Sequence, residues 1–169
     1  MIEKCREYLV TCLTQVGIKQ VNTTKADTKK HQILPYGEVK FEDSALRPDG
    51  SLVARYEGPG ENERTLRRRT YERTEQAQVK MVCRDQGQAE NSRDNLLAML
   101  GQRIEDGHGN AILITAWNGD GEEDGSILNQ EATVFIDVKF DGGIYKDKVV
   151  KIFNMETDLQ FEGEISEEV

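Results

Sequence analysis

Five arginines fall within ten positions of the segment RTLRRRTYER: Arg64, Arg67, Arg68, Arg69 and Arg73. A guanidinium forks onto a phosphate or a carboxylate with two parallel hydrogen bonds, so such a run suits nucleic acid or acidic protein surface. The chain as a whole carries a net charge of −9. Duplex-DNA affinity comes largely from neutralised phosphates, and so acidic a chain is a poor candidate for it as a main task. Strand periodicity places Arg67, Arg69, Tyr71 and Arg73 on one face, with Leu66, Arg68, Thr70 and Glu72 on the other. Tyr71 is the only aromatic in the run, which is too few for a base-stacking platform. A solvated strand face is the plain reading. The sharper one has Arg67, Arg69 and Arg73 meeting carboxylates across a protein interface.

The second cluster is DGEEDGSILNQE, residues 120–131. Asp120, Glu122, Asp124, Gly125, Ile127 and Glu131 occupy positions 1, 3, 5, 6, 8 and 12 of an EF-hand calcium loop, with Glu123 adding a further carboxylate. Glu at position 3 departs from that pattern, and Leu128 offers no ligand at position 9. An EF-hand also needs a helix on each side, whereas the flanks AILITAW and ATVFIDVKF are β-type. The loop therefore reads either as a calcium-binding interaction module or as an acidic connection, longer than folding requires. In the second case Asp120, Glu122, Glu123 and Asp124 are candidate interface partners for the arginines, as are the acids of the C-terminal run.

Catalytic chemistry finds little footing. His31 and His108 sit in turn-like surroundings without a nucleophile or ligand spacing beside them. Nucleophile-elbow, phosphate-loop, dinucleotide and zinc-protease motifs are all missing. The chain is expected to be no enzyme and to take no cofactor. Cys5, Cys12 and Cys83 form no CxxC pair and read as free thiols. No stretch approaches the 18 apolar residues of a membrane span, and the first residues lack the features of a signal peptide.

The elements that must carry these groups follow from periodicity. Ile2, Cys5, Leu9, Cys12, Leu13 and Val16 recur at helical spacing over 2–16, and Gly17 is a natural stop. Residues 19–31 read as a lysine-rich loop. Pro48-Asp49-Gly50 has turn chemistry between two strand-like flanks and predicts a hairpin across 37–57. GPGENE at 58–63 is a second break, and 64–84 reads as two strands or one long bent strand. Residues 89–105 read as a helix with Leu96, Leu97, Leu100 and Ile104 as its stripe. AILITAW, 111–117, reads as a buried strand, and Asp141-Gly142-Gly143 predicts a hairpin between two more. The expected class is α+β: a mostly antiparallel mixed sheet flanked by two helices, with hairpins and the long acidic loop. Residues 1–155 read as one domain. Residues 156–169 form an acidic tail with Glu156, Asp158, Glu162, Glu164, Glu167 and Glu168 and no Lys or Arg.

Taken together, the amphipathic first helix, VARYEG after RPDG, the strand into VKMVCRD, the helix AENSRDNLLAMLGQRI, then DGHGNAILI and ATVFIDVKFDGGIY resemble the tail terminator (tail completion) and neck proteins of long-tailed bacteriophages. The resemblance covers roughly residues 2–152 and lies in element order rather than in a signature. It implies a virion protein, assembled in the host cytoplasm, whose homohexameric ring caps the tail tube and joins it to the head connector. Its partners would be further copies, tail tube protein, connector or neck proteins and, where there is one, the sheath. DNA would be passing cargo only. The 120–131 loop and the acidic tail are longer than that pattern needs.

Overall fold

The computed structural model describes residues 1–24, 33–119 and 131–152. Helix α1 spans Ile2–Gln15, followed by strands β1 (Gln20–Asn22), β2 (Tyr36–Pro48), β3 (Leu52–Glu57) and β4 (Glu63–Cys83). Helix α2 (Gln86–Met99) leads to β5 (Arg103–Glu105), β6 (Ala111–Asn118) and β7 (Ala132–Lys151). All seven strands join one sheet in the order β1-β2-β4-β7-β6-β5, with β3 also paired to β4. Every pairing is antiparallel except β1 with β2. This is the expected α+β class with its mostly antiparallel mixed sheet and, among the described residues, two helices. The loop expected over 19–31 gives up residues 20–22 to the short parallel strand.

The core lies under the helices. Cys5, Leu9, Cys12 and Leu13 recur at i, i+4, i+7 and i+8 on α1, which turns one stripe onto the sheet. They pack with Val79 and Met81 of β4 and with Ile136, Val138 and Phe140 of β7. Phe140 stacks on Phe41 at 6.4 Å between ring centroids. The two cysteines of α1 are thus small core residues, and Cys83 is buried as well. Asp85 caps α2 by accepting a 2.8 Å hydrogen bond from the Gln88 N–H.

Four readings change. The helix expected to run to 105 stops at Met99, because Leu100 is extended and the Gly101 N–H is claimed by the Tyr8 hydroxyl at 2.8 Å. Ile104 belongs to β5, not to the helical stripe. Strand β6 is mostly exposed rather than buried, with Ile112 as its one fully buried residue. Neither predicted hairpin at Asp49-Gly50 or Gly142-Gly143 exists.

At Pro48–Ser51 the chain does not reverse. Strands β2 and β3 lie end to end along the same edge of β4, β2 opposite Val82–Tyr71 and β3 opposite Arg68–Arg64. The ladder continues through the jog: the Asp49 N–H donates to the Thr70 carbonyl and the Arg69 N–H to the Ser51 carbonyl. The true hairpin is β3–β4. It closes around Gly58, whose N–H reaches the Glu63 carbonyl at 2.9 Å. Gly142 and Gly143 are likewise strand residues, in register with Arg73 and Glu72. They are glycines because neighbours press close. A Cβ on Gly143 would stand 2.6 Å from Arg69 Cδ, and one on Gly142 would stand 3.0 Å from Met1 Sδ.

Candidate functional site: the arginine-rich arm

Strands β4 and β7 are 21 and 20 residues long, well beyond the mean strand of five or six. Their core halves lie under α1 and α2. Their other halves continue with β3 as a three-stranded arm. No residue of β3, of β4 before Glu75 or of β7 after Gly142 is buried. The arginine run lies in this arm.

A bulge divides the run. Arg69 is opposite Tyr145, yet Tyr71 is opposite Ile144, so Thr70 is the extra residue. Consecutive residues of β7 point to opposite faces, and cross-strand partners share one. Arg67 and Arg69 therefore lie on one face, with Tyr71 and Arg73 on the other. The uniform alternation expected from the sequence places all four together, because it has no extra residue.

Each of the three arginines expected at an interface meets a carboxylate of its own chain. The Arg67 Nε and Nη2 donate to the two oxygens of Asp147 at 2.8 Å each. Its Nη1 donates to the His108 carbonyl at 3.1 Å and to Asn110 Oδ1 at 3.0 Å. The guanidinium also lies 5.4 Å from the centre of the Tyr56 ring. This one side chain ties β4 to β3, to β7 and to the turn at 106–110. The hydrogen bonds from Arg67 hold the Asp147 carboxyl below its usual range, and Asp147 in turn raises Arg67.

Arg69 pairs with Asp49 in the β2–β3 jog. Asp49 also accepts from the N–H groups of Gly50 and Ser51 and from the Ser51 hydroxyl. The Arg69 hydrogen bond first, then those from Ser51 and Gly50, hold its carboxyl far below the usual range. The turn chemistry legible in the sequence thus serves an Asx-type turn clamped by Arg69 rather than a chain reversal. Arg73 Nε donates to Glu75 at 2.5 Å. Glu75 is 1 % exposed, and Ser44 Oγ donates to the same oxygen at 3.3 Å.

An open cleft of about 510 Å³ lies where Met1, the 106–110 turn and β7 meet, with Arg67, Asp106, His108 and Asp147 among its walls. Arg67 binds Asp147 and Asn110 there, and Asn110 binds Asp106. Burial alone would raise the Asp106 carboxyl, but hydrogen bonds from the Asn110 side chain and from the His108 and Asn110 N–H groups outweigh it and leave it lowered. No cluster of three or more potential metal ligands occurs among the described residues.

The sequence reading missed the cations that have no such partner. Arg64, Arg68, Lys146 and Lys148 share the arm face opposite Arg67, and Arg55 joins them opposite Leu66. All five are exposed. Among the described residues none is in an ion pair; Arg68 donates to the Gly50 carbonyl at 2.9 Å. Two of the five were in the quoted run, but the lysines are 80 residues away, and only the register brings them alongside.

Asp120, Glu122, Glu123 and Asp124 lie outside the described residues, as do His31 and the acidic tail. The segment 120–131 connects β6 to β7, which pair antiparallel from Asn118 opposite Ile136. Its flanks are thus strands, as their composition predicts, rather than the two helices of an EF-hand. Among the described residues no helix is long and apolar enough to cross a membrane. Compared with known protein families and with curated proteins, the chain matches none.

Proposed function

We propose that this chain is a structural, non-enzymatic subunit that assembles with copies of itself into a ring capping a phage tail tube, as a tail terminator or neck protein. The observation that carries the reading is the arm. Three strands run past the helix-covered core with no buried residue, exposing Val53, Tyr56, Tyr71, Ile144 and Val149, with Leu46 of β2 exposed beside them. Exposed apolar residues massed on one extension mark a surface that a partner covers. Long strands with free edges are also a liability that assembly removes. The charged groups Arg67, Asp106 and Asp147 of the cleft being held in hydrogen bonds within the chain supports a structural role over a catalytic one.

In this reading one ring face matches the last ring of the tube, and the other matches a connector rather than more tube protein. A heterologous cyclic interface of that kind closes and ends growth. The test is native mass spectrometry, or size exclusion with light scattering, with and without tube protein. A defined ring that binds tube ends is the expected outcome. A chain that stays monomeric at every concentration and never joins a tube end would sink the reading.

A further inference from the structure

We infer that the unpaired basic face of the arm is a docking surface for a second copy of this chain, which presents the acid-rich run 156–168 to it. The inference rests on the assembly reading above and names the contact.

The face is built in rows. Leu52, Arg68 and Lys146 form one, Arg55, Leu66 and Lys148 the next, and Glu57, Arg64 and Val150 the third. Successive rows on one face of a strand are about 6.8 Å apart, so five cations and one acid occupy three rows. The opposite face contrasts with it: there Arg67 and Arg69 are neutralised by Asp147 and Asp49. Five like charges this close repel one another weakly in water, and an anion laid across them would relieve that repulsion.

Two kinds of polyanion fit, a nucleic-acid backbone and an acidic protein segment. The neighbouring row favours protein. Next to Leu52 and Arg68 the same face carries Tyr71 and Ile144, side by side in the ladder and 44 % and 43 % exposed. Leu46, 55 % exposed, lies one row further on. Arginine mixed with exposed apolar side chains and an aromatic is the composition of a protein interface. Within the chain, the matching charge is the run 156–168, with six carboxylates and no Lys or Arg. It follows β7, whose last residue, Lys151, is opposite Glu63, one position beyond Arg64 at the arm's tip. Extended chain spans at most about 3.3–3.6 Å per residue, which bounds how far from the arm's tip the run can reach.

The experiment uses the full chain. One variant reverses the face (Arg55→Glu, Arg64→Glu, Arg68→Glu, Lys146→Glu, Lys148→Glu). Another reverses the run (Glu156→Lys, Asp158→Lys, Glu162→Lys, Glu164→Lys, Glu167→Lys, Glu168→Lys). Circular dichroism checks that each folds, and Gln in place of Glu on the face is the fallback if the reversal does not. Each alone should weaken self-association at least tenfold by sedimentation. Wild-type association should fall between 50 and 500 mM NaCl. Mixing the two variants should restore association, because each supplies the charge the other lacks. Three results would overturn the inference: association unchanged in either variant, no rescue on mixing, or rescue only when both reversals sit in one chain, which would place the contact within a subunit. Failure of wild type to self-associate at all would instead remove the assembly reading itself. Single-stranded oligonucleotide is the control probe, and saturable binding lost with the five cations while self-association persists would assign the face to nucleic acid.

Discussion

Arg67 and Asp147 lie directly opposite each other on β4 and β7 and are joined by two parallel hydrogen bonds of 2.8 Å. The remaining guanidinium nitrogen reaches across to the 106–110 turn, so the pair fastens that turn onto the arm. Replacing Arg67 by Gln should free the turn. Amides of residues 106–110 should exchange faster with solvent, while those of the core strands keep their protection. The thermal midpoint should fall by only a few degrees, because an exposed ion pair is screened by water.

The same geometry sets an acid dependence. Asp49 and Asp147 both have carboxyls lowered by their arginines. A lowered folded-state pKa means that the unfolded chain binds the proton more readily. The stabilisation is then complete above the unfolded carboxylate value near 4 and is lost as the pH falls through the folded values. Wild type should lose a small part of its stability below about pH 4, because both pairs are screened by water. The double variant Asp49→Asn, Asp147→Asn should start lower at pH 7 and show a flatter decline, measured by urea unfolding at a series of pH values.

Arg73 and Glu75 should behave differently, because Glu75 is buried. Arg73→Ala strands a carboxylate beside the core. Losing one partner of a buried pair costs about 3–5 kcal/mol, and here roughly 2–3 kcal/mol, since Arg73 is partly exposed. Removing both charges together, as Arg73→Met with Glu75→Leu, should recover most of that loss. A double variant as unstable as Arg73→Ala alone would count against this account.

Phe140 anchors the core from β7 and stacks on Phe41. Phe140→Ala should cost about 3–5 kcal/mol, the transfer term plus the cavity left behind. Gly58→Ala should also destabilise, by about 1–3 kcal/mol, because its Cβ would stand 2.5 Å from the Glu63 backbone at the neck of the β3–β4 hairpin.

Burial pushes the Cys5 thiol up to about 11 and raises Cys12 and Cys83 as well. The thiolate is the reactive form. Native protein at pH 7.5 should leave all three thiols unmodified by a disulfide exchange reagent, and full reaction should appear only in denaturant. Rapid labelling of Cys5 or Cys12 in the folded chain would show that α1 opens from the sheet.

Where pattern is local, the sequence alone determined the outcome. The helical repeat of Cys5, Leu9, Cys12 and Leu13 fixes α1 and its buried face, since a 3.6-residue period needs no other information. The α+β class, the β character of the flanks AILITAW and ATVFIDVKF and the presence of turns near 49 and 58 follow from composition in the same way. The extent of the elements did not. Gly142-Gly143 has the chemistry of a hairpin, and only the ladder to Arg73 and Glu72 makes those glycines part of a strand. Pro48-Asp49-Gly50 makes a turn, yet β4 is long enough to template both β2 and β3, so the turn becomes a jog. The arginines divide for a similar reason. One extra residue at Thr70 reverses which face each side chain takes, and the partners Asp49 and Asp147 and the companions Lys146 and Lys148 arrive by strand register over distances that sequence spacing does not encode. Local periodicity states what a segment can form; the long-range ladder decides which charges end up paired and which remain facing outward.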